Sequence, residues 1–134
     1  HHFAVLGAKG FAQESGDAQA VLADITGGLP HCFRAPAGLR NPLLDPVLHR
    51  LGLHLVSWTR RGFDTRRANP AKVLHSLADG LAGGDILLLH DGNARRTDFG
   101  TPVLLHVLPP LLQHCRQLGL RPTTLARSLP PRYT

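Results

Sequence analysis

No apolar run in this chain approaches the roughly 18 residues that a membrane-spanning helix needs, so no transmembrane segment is expected. No leader-peptide pattern opens it either. The chain begins His1-His2-Phe3 and not Met, so the missing leader says little about a parent protein; the compartment stays open, with a slight lean to the cytoplasm. Cysteine is scarce. Cys32 and Cys115 each sit in an apolar run, with no C-x-x-C pair, and read as buried free thiols ahead of a disulfide. Lysine occurs only at Lys9 and Lys72. The net charge of +6 comes instead from arginine, scattered in pairs: Arg60-Arg61, Arg66-Arg67 and Arg95-Arg96. Such a charge can attract nucleic acid, anionic lipid or anionic glycan. Neither a basic helix nor basic–aromatic interleaving is present, so no dedicated nucleic-acid binding is expected. Histidine is abundant, yet no H-E-x-x-H spacing exists. His49, His75, His106 and His114 read as ordinary helix positions.

What is present is a globular chain: 134 residues, 43% apolar, enough for one domain with a modest core. Helical spacing of Ala18, Val21, Leu22 and Ile25 predicts a helix over 12–26 with that stripe toward the core, after a loop over 3–10. Gly27-Gly28 closes it. His31 to Arg34 predicts a strand, followed by a rigid turn at Pro36. Asn41-Pro42 starts a second helix, and Leu53 to Trp58 a second strand. A polar loop runs from Thr59 to Ala68. Asn69-Pro70 repeats the helix-start device, with Val73, Leu74, Leu77 and Leu81 as its stripe. Thr101-Pro102 starts another helix, with a kink or break expected at Pro109-Pro110. Arg121 to Leu125 predicts a last strand, and the segment from Ser128 a Pro-rich tail. Helix and strand alternate, which argues an α/β fold with parallel strands and right-handed crossovers.

The run Ile86-Leu87-Leu88-Leu89 is short, continuous and bounded by Gly84 and Gly92. It reads as a strand buried on both faces. Its polar tip, His90-Asp91, then falls at the carboxyl end, where α/β sheets place their chemistry. The loops after the preceding strands carry Arg34-Ala35-Pro36 and Arg61-Gly62-Phe63-Asp64. Arginine, aspartate and histidine at neighbouring strand ends make an acid–base constellation. A carboxylate beside an imidazole fixes its tautomer and favours its protonated form, which suits a general acid. An arginine can hold a further carboxylate by a bidentate pair.

Three stretches resemble the third, fourth and fifth motifs of the polysaccharide deacetylases (the NodB-homology, family 4 carbohydrate esterases). They are Phe33-Arg34-Ala35-Pro36-Ala37-Gly38-Leu39-Arg40-Asn41, Trp58 with Arg61-Gly62-Phe63-Asp64, and Ile86 to Asp91. They occur in the family's order, and Gly119 to Leu125 resembles its last strand. The resemblance spans about residues 22–125. The family's first motif, Thr-Phe-Asp-Asp, and its second, His-Ser/Thr-x-x-His-Pro, are absent from the sequence. His1 and His2 match neither metal ligand. Thr65 stands where the family often has Trp.

The resemblance implies a fold, a reaction and roles. The fold is a partial, distorted (β/α) barrel of the NodB-homology type, with about four parallel strands and intervening helices. Residues 1–134 would form a single partial domain, the C-terminal part. The reaction is hydrolysis of the amide C–N bond of an N-acetylated glycan or sugar conjugate, in which a divalent, zinc-like metal polarises the carbonyl of the acetamide. The ligands of that metal and the base carboxylate are absent from this chain. His90 would protonate the leaving amine, Asp64 would hold and tune the imidazole, and Arg34 would orient the base carboxylate. Leu88, Pro36 and Trp58 would line the substrate site, Leu88 at the acetate. The chain alone is then expected to be inactive, and with unpaired sheet edges to aggregate or pair. The Arg-rich stretch 60–67 permits an anionic substrate; no oligomeric state is implied. Two other classes stay open: a degenerate domain that binds glycan or protein without chemistry, and an unrelated basic α/β protein that binds anions.

Overall fold

The computed structural model describes residues 6–39 and 41–129. The expectations placed on His1, His2, Arg40 and the end of the Pro-rich tail lie outside these residues. The chain gathers into two compact units. The first takes in the described residues up to Ser57 and those from Thr123 onward; the second is Trp58–Pro122. Both mix helices with short parallel strands.

In the first unit, helix α1 (Ala8–Thr26) precedes strand β1 (Cys32–Phe33), helix α2 (Leu44–Arg50) and strand β2 (His54–Leu55). The single turn α5 (Leu125–Ser128) also belongs here. Gly27 ends α1 as its sequence predicts, at φ +73° with its N–H donating to the Ala23 carbonyl (2.9 Å). Two expectations for α1 are overturned. The helix starts at Ala8, inside the stretch read as loop. Its buried residues are Phe11 and Ser15, whereas Val21, Leu22 and Ile25 are exposed. A stripe at helical spacing identifies a face but not what covers it. Phe11 packs with Ala35, Leu44, Val47, Leu48 and Leu53 to make the core of this unit. β1 and β2 pair in parallel, Cys32 with His54 and Phe33 with Leu55. Cys32 is a half-buried free thiol; its burial pushes the thiol pKa up, with the charge of Arg34 acting the other way.

In the second unit, strand β3 (Arg60–Arg61), helix α3 (Pro70–Ala78), strand β4 (Leu87–Leu88) and helix α4 (Val103–Gln117) follow in order. Asn69 caps α3 as expected, its side chain accepting from the Lys72 backbone N–H (3.1 Å), with Pro70 in the first turn. α3 and α4 pack together through Val73, Leu77, Val103, Val107 and Leu111, and Leu87 and Leu89 lie against this core. β3 and β4 pair in parallel, Arg60 with Leu87 and Arg61 with Leu88. Three expectations fail here, one of them in part. β3 lies in the stretch read as a polar loop. Of the kink or break expected at Pro109-Pro110, the break does not occur, since α4 continues to Gln117. Residues 121–124 form no strand, and Leu125 opens a helical turn. Among the described residues, the strands form two separate two-stranded sheets.

β3 escapes a sequence reading because the charge of Arg60 is satisfied from far along the chain. Arg60 Nε donates to Asp85 Oδ2 (2.5 Å), and its terminal nitrogens donate to the Asp79 and Gly80 carbonyls. Asp85 also accepts from the Thr59 hydroxyl (2.7 Å) and the Ala82 N–H (2.9 Å). With these donors around it, Arg60 first, the Asp85 carboxyl is pulled down to about 2. No helix among the described residues is long and apolar enough to cross a membrane.

Candidate active site

β4 delivers His90. Leu87 and Leu89 face the α3/α4 core, so the pleat places Leu88 and His90 on the opposite side. Leu88 is buried.

Asp64 arrives by a different route. Gly62 faces the α3/α4 core: a Cβ there would meet Val73 at 2.9 Å, Leu89 at 3.1 Å and Leu77 at 3.3 Å. Strict alternation would turn Asp64 the same way. Phe63 interrupts the alternation, with φ +59° in the left-handed region that bulky residues rarely adopt. Beyond it, Asp64 is fully buried and meets the end of β4. Its Oδ2 accepts from the backbone N–H of His90 (2.6 Å), and its Oδ1 lies 3.0 Å from Nδ1 of the same residue. A carboxylate only accepts, so Nδ1 carries the hydrogen and the tautomer is set. No described residue hydrogen-bonds Nε2. The His90 side chain keeps 29% of its exposure, against 0% for Asp64. The pair can therefore exchange a proton at Nε2 while the ring stays anchored. The Arg95 N–H donates to the Asp64 carbonyl (2.7 Å), tying the loop after β4 to the same turn.

The remaining sequence-selected residues fall as follows. Trp58, half-buried, lies in the second unit with its ring 5.7 Å from the Arg61 guanidinium. Arg34 and Pro36 belong to the first unit, directly after β1, and both are exposed. Pro36 opens a tight turn to Gly38 in which Ala37 takes φ +54°. Thus Asp64 and His90 meet, with Leu88 on the face of His90. Arg61 and Phe63 lie in the Arg-rich stretch 60–67 that the sequence marks as permitting an anionic substrate. Arg61 pairs with Leu88 and shares the face of His90, and its guanidinium lies 5.0 Å from the Phe63 ring. The alternation of Arg60, Gly62 and the flanking aromatics was the available signal.

Among the described residues, no group of three or more His, Cys, Asp or Glu side chains is gathered closely enough to hold a metal ion. Asp64, the buried carboxylate, is already engaged by His90. These residues do not fit the divalent metal that the resemblance implies.

No protein-family model matches the chain. It is 34% identical over 76 residues to a chitooligosaccharide deacetylase of Azorhizobium caulinodans, covering 56% of this chain and 36% of that protein. It is 32% identical over 69 residues to a bifunctional xylanase/xylan deacetylase of Cellvibrio japonicus, covering 52% of this chain and 10% of that protein. The chain thus spans about a third of the first relative's length and a tenth of the second's. Among solved structures, a family 4 carbohydrate esterase from Streptomyces lividans in complex with acetate superposes with a TM-score of 0.77 at 25% identity, covering 94% of this chain and 61% of that one. In sequence and in fold the chain is similar, over part of their length, to polysaccharide deacetylases of the NodB type.

Proposed function

We propose that this chain is part of a polysaccharide N-deacetylase and supplies the acid side of its site. The observation that carries the reading is the His90–Asp64 pair: a half-exposed imidazole, held through Nδ1 by a buried carboxylate, at the carboxyl end of a strand. In the reaction, water adds to the acetamide carbonyl, the C–N bond breaks, and acetate and a free amine result. His90 gives its proton from Nε2 to the departing nitrogen, which would otherwise leave as an unstable amide anion. Asp64 keeps the ring oriented through that step. Arg34 orients the base carboxylate, and Leu88, Pro36 and Trp58 line the sugar and its acetyl group; these roles rest on motif order. Both units are read as pieces of one partial, distorted (β/α) barrel, which the extent of the esterase superposition supports. The substrate is an N-acetylated glycan or sugar conjugate. A divalent metal belongs to this reading by family likeness alone, and no step is assigned to it.

The test uses a chimera in which this chain replaces the matching part of the Azorhizobium deacetylase. The expected outcome is acetate release from N-acetylchitooligosaccharides. His90→Ala should lower kcat by roughly 100- to 10,000-fold, the usual worth of a positioned general acid, and Asp64→Asn should also lower it. Release that survives His90→Ala overturns the acid assignment. The isolated chain with added zinc should release none.

A further inference from the structure

Charge is unevenly compensated around β3. Residues 58–67 carry Arg60, Arg61, Arg66 and Arg67 against a single carboxylate, Asp64. Arg60 is saturated by Asp85 and two carbonyls. Both oxygens of Asp64 are taken by His90. No carboxylate among the described residues pairs with Arg61, Arg66 or Arg67.

Arg61 is the informative one. It is half-buried, its Nε is buried with no hydrogen-bond partner, and no described residue hydrogen-bonds its terminal nitrogens. What holds it is aromatic: the Trp58 ring at 5.7 Å and the Phe63 ring at 5.0 Å. Arg67 lies 4.8 Å from the same Phe63 ring and is tethered to the Ser76 hydroxyl (2.7 Å). The two rings therefore brace a guanidinium whose hydrogen-bonding fork is unused. Half-buried and without a counter-ion, such a cation is poorly compensated by stacking alone. Gly62 faces the α3/α4 core, so Arg61 stands on the other face of the sheet, shared with Leu88 and His90.

We propose that Arg61, braced by Trp58 and Phe63 and supported by Arg67, binds an anionic substituent, carboxylate or phosphate, on the saccharide presented to His90. The proposal rests on the deacetylase reading and deepens it. A planar guanidinium fork pairs with either anion through two parallel hydrogen bonds. The site then selects an acidic N-acetyl sugar over a neutral one of the same length, and Arg61 is a specificity residue.

The experiment compares three probes that share one backbone: chitotetraose, its C6-oxidised form bearing carboxylates, and its 6-O-phosphorylated form. Binding to the full chain is measured by calorimetry at low and high salt. Both anionic probes should bind about tenfold more tightly than the neutral one at low salt, with the preference shrinking as salt rises. A preference for one anion alone identifies the source. Arg61→Gln should abolish the preference, and Arg61→Lys should restore part of it. If Arg61→Gln does not fold, Arg67→Gln, at an exposed side chain beside the same Phe63 ring, should reduce the preference by a smaller factor. Equal affinity for all three probes, no binding of any probe, or a preference untouched by Arg61→Gln overturns the proposal. Equal affinity leaves the deacetylase reading standing. A chimera with the anionic preference but no acetate release would fail that reading alone.

Discussion

At the residue scale, the site depends on two backbone positions that do no chemistry. Phe63 adopts a left-handed conformation that costs an aromatic residue about 1–2 kcal/mol, and in return Asp64 leaves the face that alternation would give it. Gly62, one residue earlier, lets β3 lie close to α3. Gly62→Ala would force a methyl group within 2.9 Å of Val73 and 3.1 Å of Leu89. Both neighbours belong to a packed core, where overpacking typically costs about 1–3 kcal/mol. The expected outcome is a loss of that size in denaturant unfolding with an unchanged slope; a stability equal to wild type would show that the core gives way freely. The sequence displayed His90 and Asp64 readily, because a strand-end histidine and a loop aspartate are visible as residue types. It could not display the turn at Phe63, since nothing in an aromatic side chain announces positive φ. The unpaired, ring-braced state of Arg61 was hidden for a related reason. An arginine with no carboxylate partner looks, in a sequence, like any solvated loop charge.

At the scale of elements, the start of α3 was the most legible feature. Asn69-Pro70 is a local device: the cap and the fixed φ act within one turn, so reading them needs no tertiary knowledge. β3 was illegible because its stabilisation is non-local. Asp85 and the Asp79 and Gly80 carbonyls just past α3 converge on Arg60, and the Thr59 hydroxyl donates to Asp85. This junction has a pH signature. The folded pKa of Asp85, about 2, lies below the ordinary 3.8, so the ionised carboxyl supports the fold fully above the ordinary value. That support is lost as pH falls from there through about 2. Melting temperature followed across this acid range should drop in the wild type. Asp85→Asn should melt lower near neutrality and lack this component of the acid drop. Identical acid profiles for the two proteins would remove Asp85 from the account.

At the scale of the whole molecule, the sheets are narrow. Each sheet of the described residues has only two strands of two residues, well below the usual breadth of a sheet. Parallel sheets are ordinarily covered on both faces and broad enough to bury their middle strands. The alternation of helix and strand was readable because hydrophobic period and turn residues are local; the division into two small sheets was not, because pairing joins distant segments. Apolar side chains are also exposed: Val21, Leu22 and Ile25 stand out on α1, Ile25 at 74% exposure, and Leu105 and Leu112 on α4. Exposed apolar surface promotes association in water. Sedimentation velocity over a concentration series should therefore show reversible growth beyond monomer when the chain is studied by itself. Val21→Glu with Ile25→Glu should shift that growth to higher concentration, by adding like charge where α1 is bare and leaving Phe11 and its core contacts untouched. A single monomeric boundary at every concentration, with one cooperative melt, would mean that these exposed apolar faces do not drive association.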